Sequence, residues 1–240
     1  MERSEVRFGH TVIRYAIERG RRLKTVAIRV DPVDGVRVRT PGDTPIASLD
    51  VIVHRKAQWI LECQRRHEDL PPPPSPREFV SGETFRYLGR QYRLKVERSA
   101  DAGAGVRIAE GRLIVPVASK GSMPANARDR LVAWYRERAA IRVPERVAAW
   151  SARLGLHPSS VLIREPKKRW GSADPRGNIR FNWRIIQTST RLIDYVVAHE
   201  LVHLAHRDHT RDFWATLGRA MPDYESRRKE LRRLGRQVVW

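Results

Sequence analysis

Two imidazoles four residues apart, with a carboxylate beside the first, stand in His199-Glu200-Leu201-Val202-His203. On a helix this spacing puts both rings on one face, about one turn apart. Rings so placed can take two corners of a tetrahedral zinc ion, while Glu200 projects to the side, where it reaches a water on the ion. The chemistry allowed is hydrolytic, because a metal acidifies water and a neighbouring carboxylate accepts its proton. After a five-residue interval comes His209, far enough for the helix to end and the chain to turn back with a third imidazole. Asp208 tolerates the turn conformations that such a reversal needs. His206 is a rival for the third position, since residues 199, 203 and 206 share a helical face. A metal midway between His199 and His203 would lie roughly 7.5 Å along the axis from residue 206 at ~1.5 Å rise per residue. A histidine side chain barely covers that distance, which favours His209. Three histidines leave a fourth position open to water, the arrangement of a catalytic zinc site. Four of the chain's eight histidines fall within residues 199–209, which argues against a surface helix carrying the string by chance. Tyr224, Arg169 and Arg228 are the candidates for a second donor to a developing oxyanion, and the sequence does not choose among them.

Several elements must position these groups. Leu192, Ile193, Val196 and Val197 recur at helical spacing before His199, with Thr188, Ser189 or Thr190 as N-cap. A strand is predicted over residues 178–186, just upstream, where an extended substrate could add by edge pairing. Phe213 and Trp214 read as core and Met221 as ordinary packing. The Lys167-Lys168-Arg169-Trp170-Gly171 segment reads as a turn at a strand end. Farther back, strands are expected at 12–17, 25–30 and 36–39, the last two flanking Asp34-Gly35, with a basic turn at Arg19-Gly20-Arg21-Arg22. Helical spacing covers about 46–68. A hairpin about Gly89-Arg90 joins 84–88 to 91–96, and a strand pair covers 106–117, turning near Glu110-Gly111. A long helix follows from about 126 to 154, broken or kinked before Pro144, with Trp134, Tyr135, Ile141, Val147 and Trp150 in the core. The expected class is α+β, with strands concentrated before residue 120 and helices after it. The expected organisation is strands plus a helix over 1–70, a stiff proline-rich connector over 71–76, and hairpins followed by a helical region over 77–240.

The 240 residues suffice for one large or two small cores. Forty-seven Lys plus Arg against 27 Asp plus Glu give a net charge of +20. Such a surface attracts polyanions, so nucleic acid or an acidic substrate joins the candidate partners. No single stretch concentrates the excess, so a generally raised charge explains it equally well. Cys63 is the only cysteine, which excludes intramolecular disulfides and argues against thiolate metal clusters. Residues 1–7 lack the apolar core of a signal peptide, and nowhere do eighteen apolar residues run together, so no membrane span is expected. These absences point to a cytoplasmic, reducing home. Nothing in the sequence bears on oligomeric state.

Taken together, these residues resemble the YgjP-like metallopeptidases, distant relatives of the SprT-like and WLM zinc proteases. The resemblance is carried by Lys167-Lys168-Arg169-Trp170-Gly171-Ser172, Asn178-Ile179-Arg180-Phe181-Asn182-Trp183-Arg184, Tyr195 to His203, His209-Thr210, Phe213-Trp214 and Met221-Pro222-Asp223-Tyr224. Arg21-Arg22-Leu23-Lys24-Thr25 and the 82–89 hairpin extend it over nearly the whole chain. It implies a zincin-like catalytic unit, zinc ligands His199, His203 and His209, catalytic Glu200, a peptide or protein substrate and a β-rich N-terminal part. Two departures stand out: Ala173 where the family usually has cysteine, and Asp208 where it commonly has asparagine. Neither removes a ligand. Two other readings compete. One is a metal-dependent hydrolase of nucleotides or phosphoesters, which an all-histidine ligand set disfavours. The other is a nucleic-acid-binding module with a non-catalytic zinc, suggested by the basic tail of Arg227, Arg228, Lys229, Arg232, Arg233 and Arg236.

Overall fold

Alternating apolar residues build the first sheet. In the computed structural model, which describes residues 2–20, 23–31, 34–68, 76–99, 101, 104–118, 123–166, 169–235 and 237–238, the chain divides into two units, Met1–Pro72 and Pro73–Trp240. In the first unit, β1 (Glu2–Phe8) and β2 (Thr11–Arg19) form a hairpin through Gly9, whose φ is +59°. Strands β3 (Ala27–Asp31) and β4 (Gly35–Thr40) complete the order β1-β2-β4-β3, with β2 and β4 parallel. Ile13, Tyr15 and Ile17 of β2 bury one face at period two. Helices α1 (Ile46–Arg55) and α2 (Ala57–Glu68) close that core with Leu49, Val53, Ala57 and Ile60. The single helix expected over 46–68 is therefore two, interrupted at Lys56. Strand β1 went unpredicted because it buries only Val6 and so shows little alternation. Arg21, Arg22 and prolines 71–74 lie outside the described residues.

In the second unit, β5 (Thr84–Tyr87), β6 (Arg90–Ser99), β7 (Arg107–Ala109) and β8 (Arg112–Ala118) form a sheet of order β5-β6-β8-β7. Both hairpin turns place two successive residues at positive φ, Leu88-Gly89 and Glu110-Gly111, the geometry that matches strand twist. The first turn thus sits one residue earlier than expected. Helix α3 (Met123–Leu154) packs on β8. It runs unbroken through Pro144, contrary to a break at that point. Proline removes the bond to the carbonyl of residue 140, but Ala140 is exposed and water can serve that oxygen, while Val143 and Val147 are buried. Trp134, Tyr135, Val147 and Trp150 are core residues. Ile141 is not: it lies on the outer face, 46% exposed.

A third sheet, β10-β11-β9, consists of β9 (Ser160–Arg164), β10 (Gly171–Ala173) and β11 (Asn178–Asn182). The strand expected over 178–186 stops at Asn182, whose Oδ1 accepts the Arg184 N–H at 3.0 Å and caps a 3-10 turn over Trp183–Gln187. Helices α4 (Thr190–Val202), α5 (Arg211–Ala220) and α6 (Tyr224–Gly235) follow. The class is α+β, but strands and helices do not separate at residue 120: α1 and α2 precede it and β9 to β11 follow it. No helix among the described residues is long and apolar enough to cross a membrane.

Candidate metal centre

Helix α4 is the central element of the second unit. Leu192, Ile193, Val196 and Val197 are buried as their spacing predicts, and Tyr195, Ala198, Leu201 and Val202 are buried too. The N-cap is Ser189, with extended backbone and no side-chain cap bond. The β5–β6 turn braces this end: the Leu88 N–H donates to the Ile186 carbonyl at 2.9 Å. A Cβ on Gly89 would come within 3.0 Å of the Ser189 Cα, so glycine permits the approach. Arg146 grips Asp194 bidentately at 2.6 and 2.9 Å and ties α3 to α4. Arg191 reaches Asp223 and Glu230, tying α4 to α6 and the turn before it.

At the other end of α4 three rings converge. One ring nitrogen from each of His199, His203 and His209 lies within 4.8 Å of the others. The Nε2 atoms of His199 and His209 face each other at 3.0 Å. His203 Nδ1 lies 3.0 Å from the His206 carbonyl oxygen. A carbonyl only accepts, so Nδ1 is the donor in this contact, which turns Nε2 to the other rings. The His206 ring itself pairs with Thr216 Oγ1 at 3.2 Å, on α5. Phe213 is fully buried, its ring centroid 4.6 to 5.0 Å from all three imidazoles. Trp214 stacks on His209 at 5.4 Å. Burial, helped by the charges of its two partner imidazoles and Arg228, pulls the His199 pKa down to about 3. Burial, His203 and Arg228 also lower that of His209, against a smaller opposing effect of Asp208. Both shifts favour the uncharged imidazole, the form that offers a lone pair.

Glu200 is 6% exposed and lies against β10. A Cβ on Gly171 would fall 2.7 Å from Glu200 Cγ and Oε1, so the carboxylate packs on the bare glycine and would have to shift to admit a methyl. Burial pushes the Glu200 pKa up to about 8; the charge of Arg169 and a hydrogen bond from the Ala173 backbone N–H act in the opposite direction. The three histidines, Glu200, Arg169 and Arg207 line an open cleft of about 670 Å³. Asn182 holds the loop before β10, donating from Nδ2 to the Pro166 carbonyl at 2.9 Å, while its backbone N–H reaches the Trp170 carbonyl at 2.7 Å.

The sequence profile of the YgjP-like metallopeptidase domain matches residues 24–234. The chain belongs to this family. Among solved structures it is similar to the metallopeptidase zymogen of Pyrococcus abyssi abylysin, with 22% identity over 39% of this chain and 92% of that one, at a TM-score of 0.35. It is also similar to the metallopeptidase zymogen of Methanocaldococcus jannaschii jannalysin, with 20% identity over 40% of this chain and 97% of that one, at the same TM-score. No curated protein sequence matches the chain.

His199, Glu200, His203 and His209 come together, and the His206 side chain turns aside. Of the oxyanion candidates, Arg169 and Arg228 line a smaller cavity beside Glu200. Tyr224 stacks on Trp214, and its hydroxyl donates to Glu225 at 3.3 Å. Met221 is core. Phe213 and Trp214 are more than core, since they form the platform under the imidazoles. The edge strand beside the site is not the predicted 178–186 segment, because β11 is paired on both sides; β10 and β9 are the edges, and β10 is the one against Glu200. Gly171, the Ala173 N–H and the His206 carbonyl escaped sequence reasoning. The Arg-Trp-Gly-Ser string was visible, but backbone donors and acceptors have no side-chain signature. Lys167 and Lys168 lie outside the described residues.

Proposed function

We propose that the chain is a zinc-dependent metallopeptidase in which His199, His203 and His209 hold the metal and Glu200 is the general base. The reading is carried by the convergence of three imidazole nitrogens within 4.8 Å beside one buried carboxylate. The donor set fits zinc. Tetrahedral Zn–N bonds of ~2.0–2.1 Å put neighbouring nitrogens roughly 3.3 Å apart, close to the 3.0 Å between His199 and His209. With both rings in the Nδ1–H tautomer, the two Nε2 lone pairs would face one position that a cation would fill. The His206 carbonyl and the Trp214 face hold two of the rings from behind, as outer partners of metal-binding histidines do.

Bound zinc supplies a Lewis acid that brings the pKa of water toward ~7 and polarises a carbonyl. Glu200 then takes the proton from the water that attacks the peptide carbonyl and returns it to the nitrogen as the C–N bond breaks. Burial keeps this carboxylate basic, and the Ala173 N–H and Gly171 fix its direction. Arg228 supplies positive charge on the side of His199 and His209, where an oxyanion would develop. Strand β10 is an edge of its sheet, with its Ala173 N–H given to Glu200, so an extended peptide would pair along the rest of that edge.

Zinc content and hydrolysis test this together. Wild type should retain about one zinc per chain, His209→Ala should lose it, and His206→Ala should keep it. Cleavage of an unfolded protein should vanish in Glu200→Gln. Wild type that takes up no zinc, or cleavage that survives Glu200→Gln, would overturn the proposal.

A further inference from the structure

A second cavity, of about 380 Å³, opens on the other side of Glu200, between β10 and α6. Trp170, Tyr195, Val196 and Leu231 give it apolar walls, and Arg169, Arg228 and Arg232 bring three guanidinium groups to it. Glu200 is its only acidic lining residue. Three neighbouring arginines are already paired. Arg227, next to Arg228, binds Asp223 at 2.9 Å and the Arg191 carbonyl at 3.0 Å, and Arg146 and Arg191 grip carboxylates. Arg169 and Arg232 have no ion-pair partner among the described residues, and both are exposed. Arg228 lies over the Trp214 ring at 4.9 Å. Three guanidinium groups facing one carboxyl group, beside a proposed dication, leave a net positive field that attracts an anion.

The walls say which anion. A nucleic-acid strand in a basic groove needs open aromatic faces on which bases stack. Here Trp170 is pinned against α6, where a Cβ on Gly235 would come within 3.2 Å of its ring, and Tyr195 is buried. What remains is an open pocket with room for a peptide side chain, with an apolar body and a cationic rim. A glutamate or aspartate side chain has that shape, as does the last residue of a peptide with its terminal carboxylate. A guanidinium fork binds either in the same way.

We infer that this cavity is a substrate subsite for a carboxylate carried by a residue next to the scissile bond, selected by Arg169 and Arg232. The inference rests on the metallopeptidase reading and gives it a substrate class, acidic peptides or peptides ending beside the cleaved bond.

The test uses the full chain, with and without zinc, and one fluorescein-labelled hexapeptide in four forms: central Glu or Gln, each with a free or amidated C-terminus. Fluorescence anisotropy reads affinity, and mass spectrometry of the zinc-loaded mixture reads cleavage. Loss of the recognised carboxylate should weaken binding roughly 10- to 100-fold. The preference should shrink below about threefold in Arg169→Gln/Arg232→Gln, with an unchanged melting temperature. Sensitivity to Glu→Gln alone assigns the side chain, and sensitivity to amidation alone assigns the terminus. Should the double variant unfold, Arg232→Gln by itself, on the exposed face of α6, must still reduce the preference. Equal affinity for all four peptides in wild type, or a preference that survives the substitutions, overturns the subsite. So does a single-stranded oligonucleotide that displaces the peptide through the same two arginines. Carboxylate-dependent binding without zinc-dependent cleavage of any peptide would keep the subsite and sink the peptidase. Cleavage without carboxylate preference would do the reverse.

Discussion

Replacing Gly171 by alanine adds one methyl group at the point where β10 meets Glu200. Its Cβ would land 2.7 Å from Glu200 Cγ and Oε1 and 2.8 Å from Cδ. Heavy atoms rest at ~3.5 Å or more, so something must move by roughly 0.8 Å. The backbone of β10 is held by three register pairs with β11 and by the Asn182 clamp on the preceding loop. Glu200 is the softer partner, but it is buried, and any rotation breaks its hydrogen bond from Ala173. Such overpacking costs about 1–3 kcal/mol of stability. A general base displaced by about 1 Å loses on the order of 10²-fold in turnover. The proposed ligands lie on α4 and the 203–209 turn, away from the added methyl, so the zinc content expected under that proposal should stay at the wild-type level. Steady-state peptide hydrolysis, zinc analysis and thermal melting read the three effects on one preparation. Turnover within threefold of wild type, in a folded and zinc-loaded variant, would refute the claim that Gly171 orients the base. Parallel loss of zinc would show that the methyl disturbs α4 as a whole.

Four further outcomes are expected. Trp214→Ala removes the face on which His209 stacks and should weaken zinc binding about 10- to 100-fold by competition with a chelator, with His209 still present. His206→Ala should keep zinc because it spares the backbone carbonyl, whereas His206→Pro, which strains the turn and removes the N–H donated to Val202 at 2.9 Å, should lower it. Asp194→Ala cuts the bidentate link between α3 and α4 and should cost about 2 kcal/mol in urea unfolding; a double-mutant cycle with Arg146→Ala should show that the two losses are not additive. Asp174 accepts hydrogen bonds from the Asn178 side chain and backbone, and Arg180 pairs with it, holding its pKa down to about 2. A depressed carboxylate stabilises the fold above the unfolded value of ~3.9 and loses that contribution as pH falls toward about 2. Asp174→Asn should flatten acid unfolding in that window.

The metal-site helix was legible because two independent patterns coincide on it. Four apolar positions at helical spacing define the buried face, and the two histidines sit one turn apart at its C-terminal end. Distance favoured His209 over its rival His206, since a side chain at 206 on a continued helix would barely reach a metal between the first two rings. The class of fold could be read from where period two gives way to period 3.6, but several boundaries could not. Strand β10 has three residues, too few to show alternation. Strand β8 buries five consecutive residues and has none to show. Proline at 144 weighs against a helix in any local scale, yet tertiary burial on either side of it overrides that preference. The 3-10 turn after β11 depends on the Asn182 side chain closing on its own backbone, which looks from the sequence like two more strand residues.

The site shows a different division. Its side chains were identifiable by type and spacing; the groups that aim them were not. The proton on His203 Nδ1 is set by a carbonyl of residue 206, and the direction of Glu200 by an N–H of residue 173 and the missing side chain of residue 171. The two backbone groups do not depend on the side chain of the residue that supplies them, whereas position 171 depends on having none. At 173 a small side chain that suits the half-buried site keeps the N–H in place, while a methyl at 171 must displace Glu200. This also explains how Ala173 can stand where the resemblance leads one to expect cysteine. What Glu200 needs from that position is its backbone donor, and alanine supplies it as well as cysteine would.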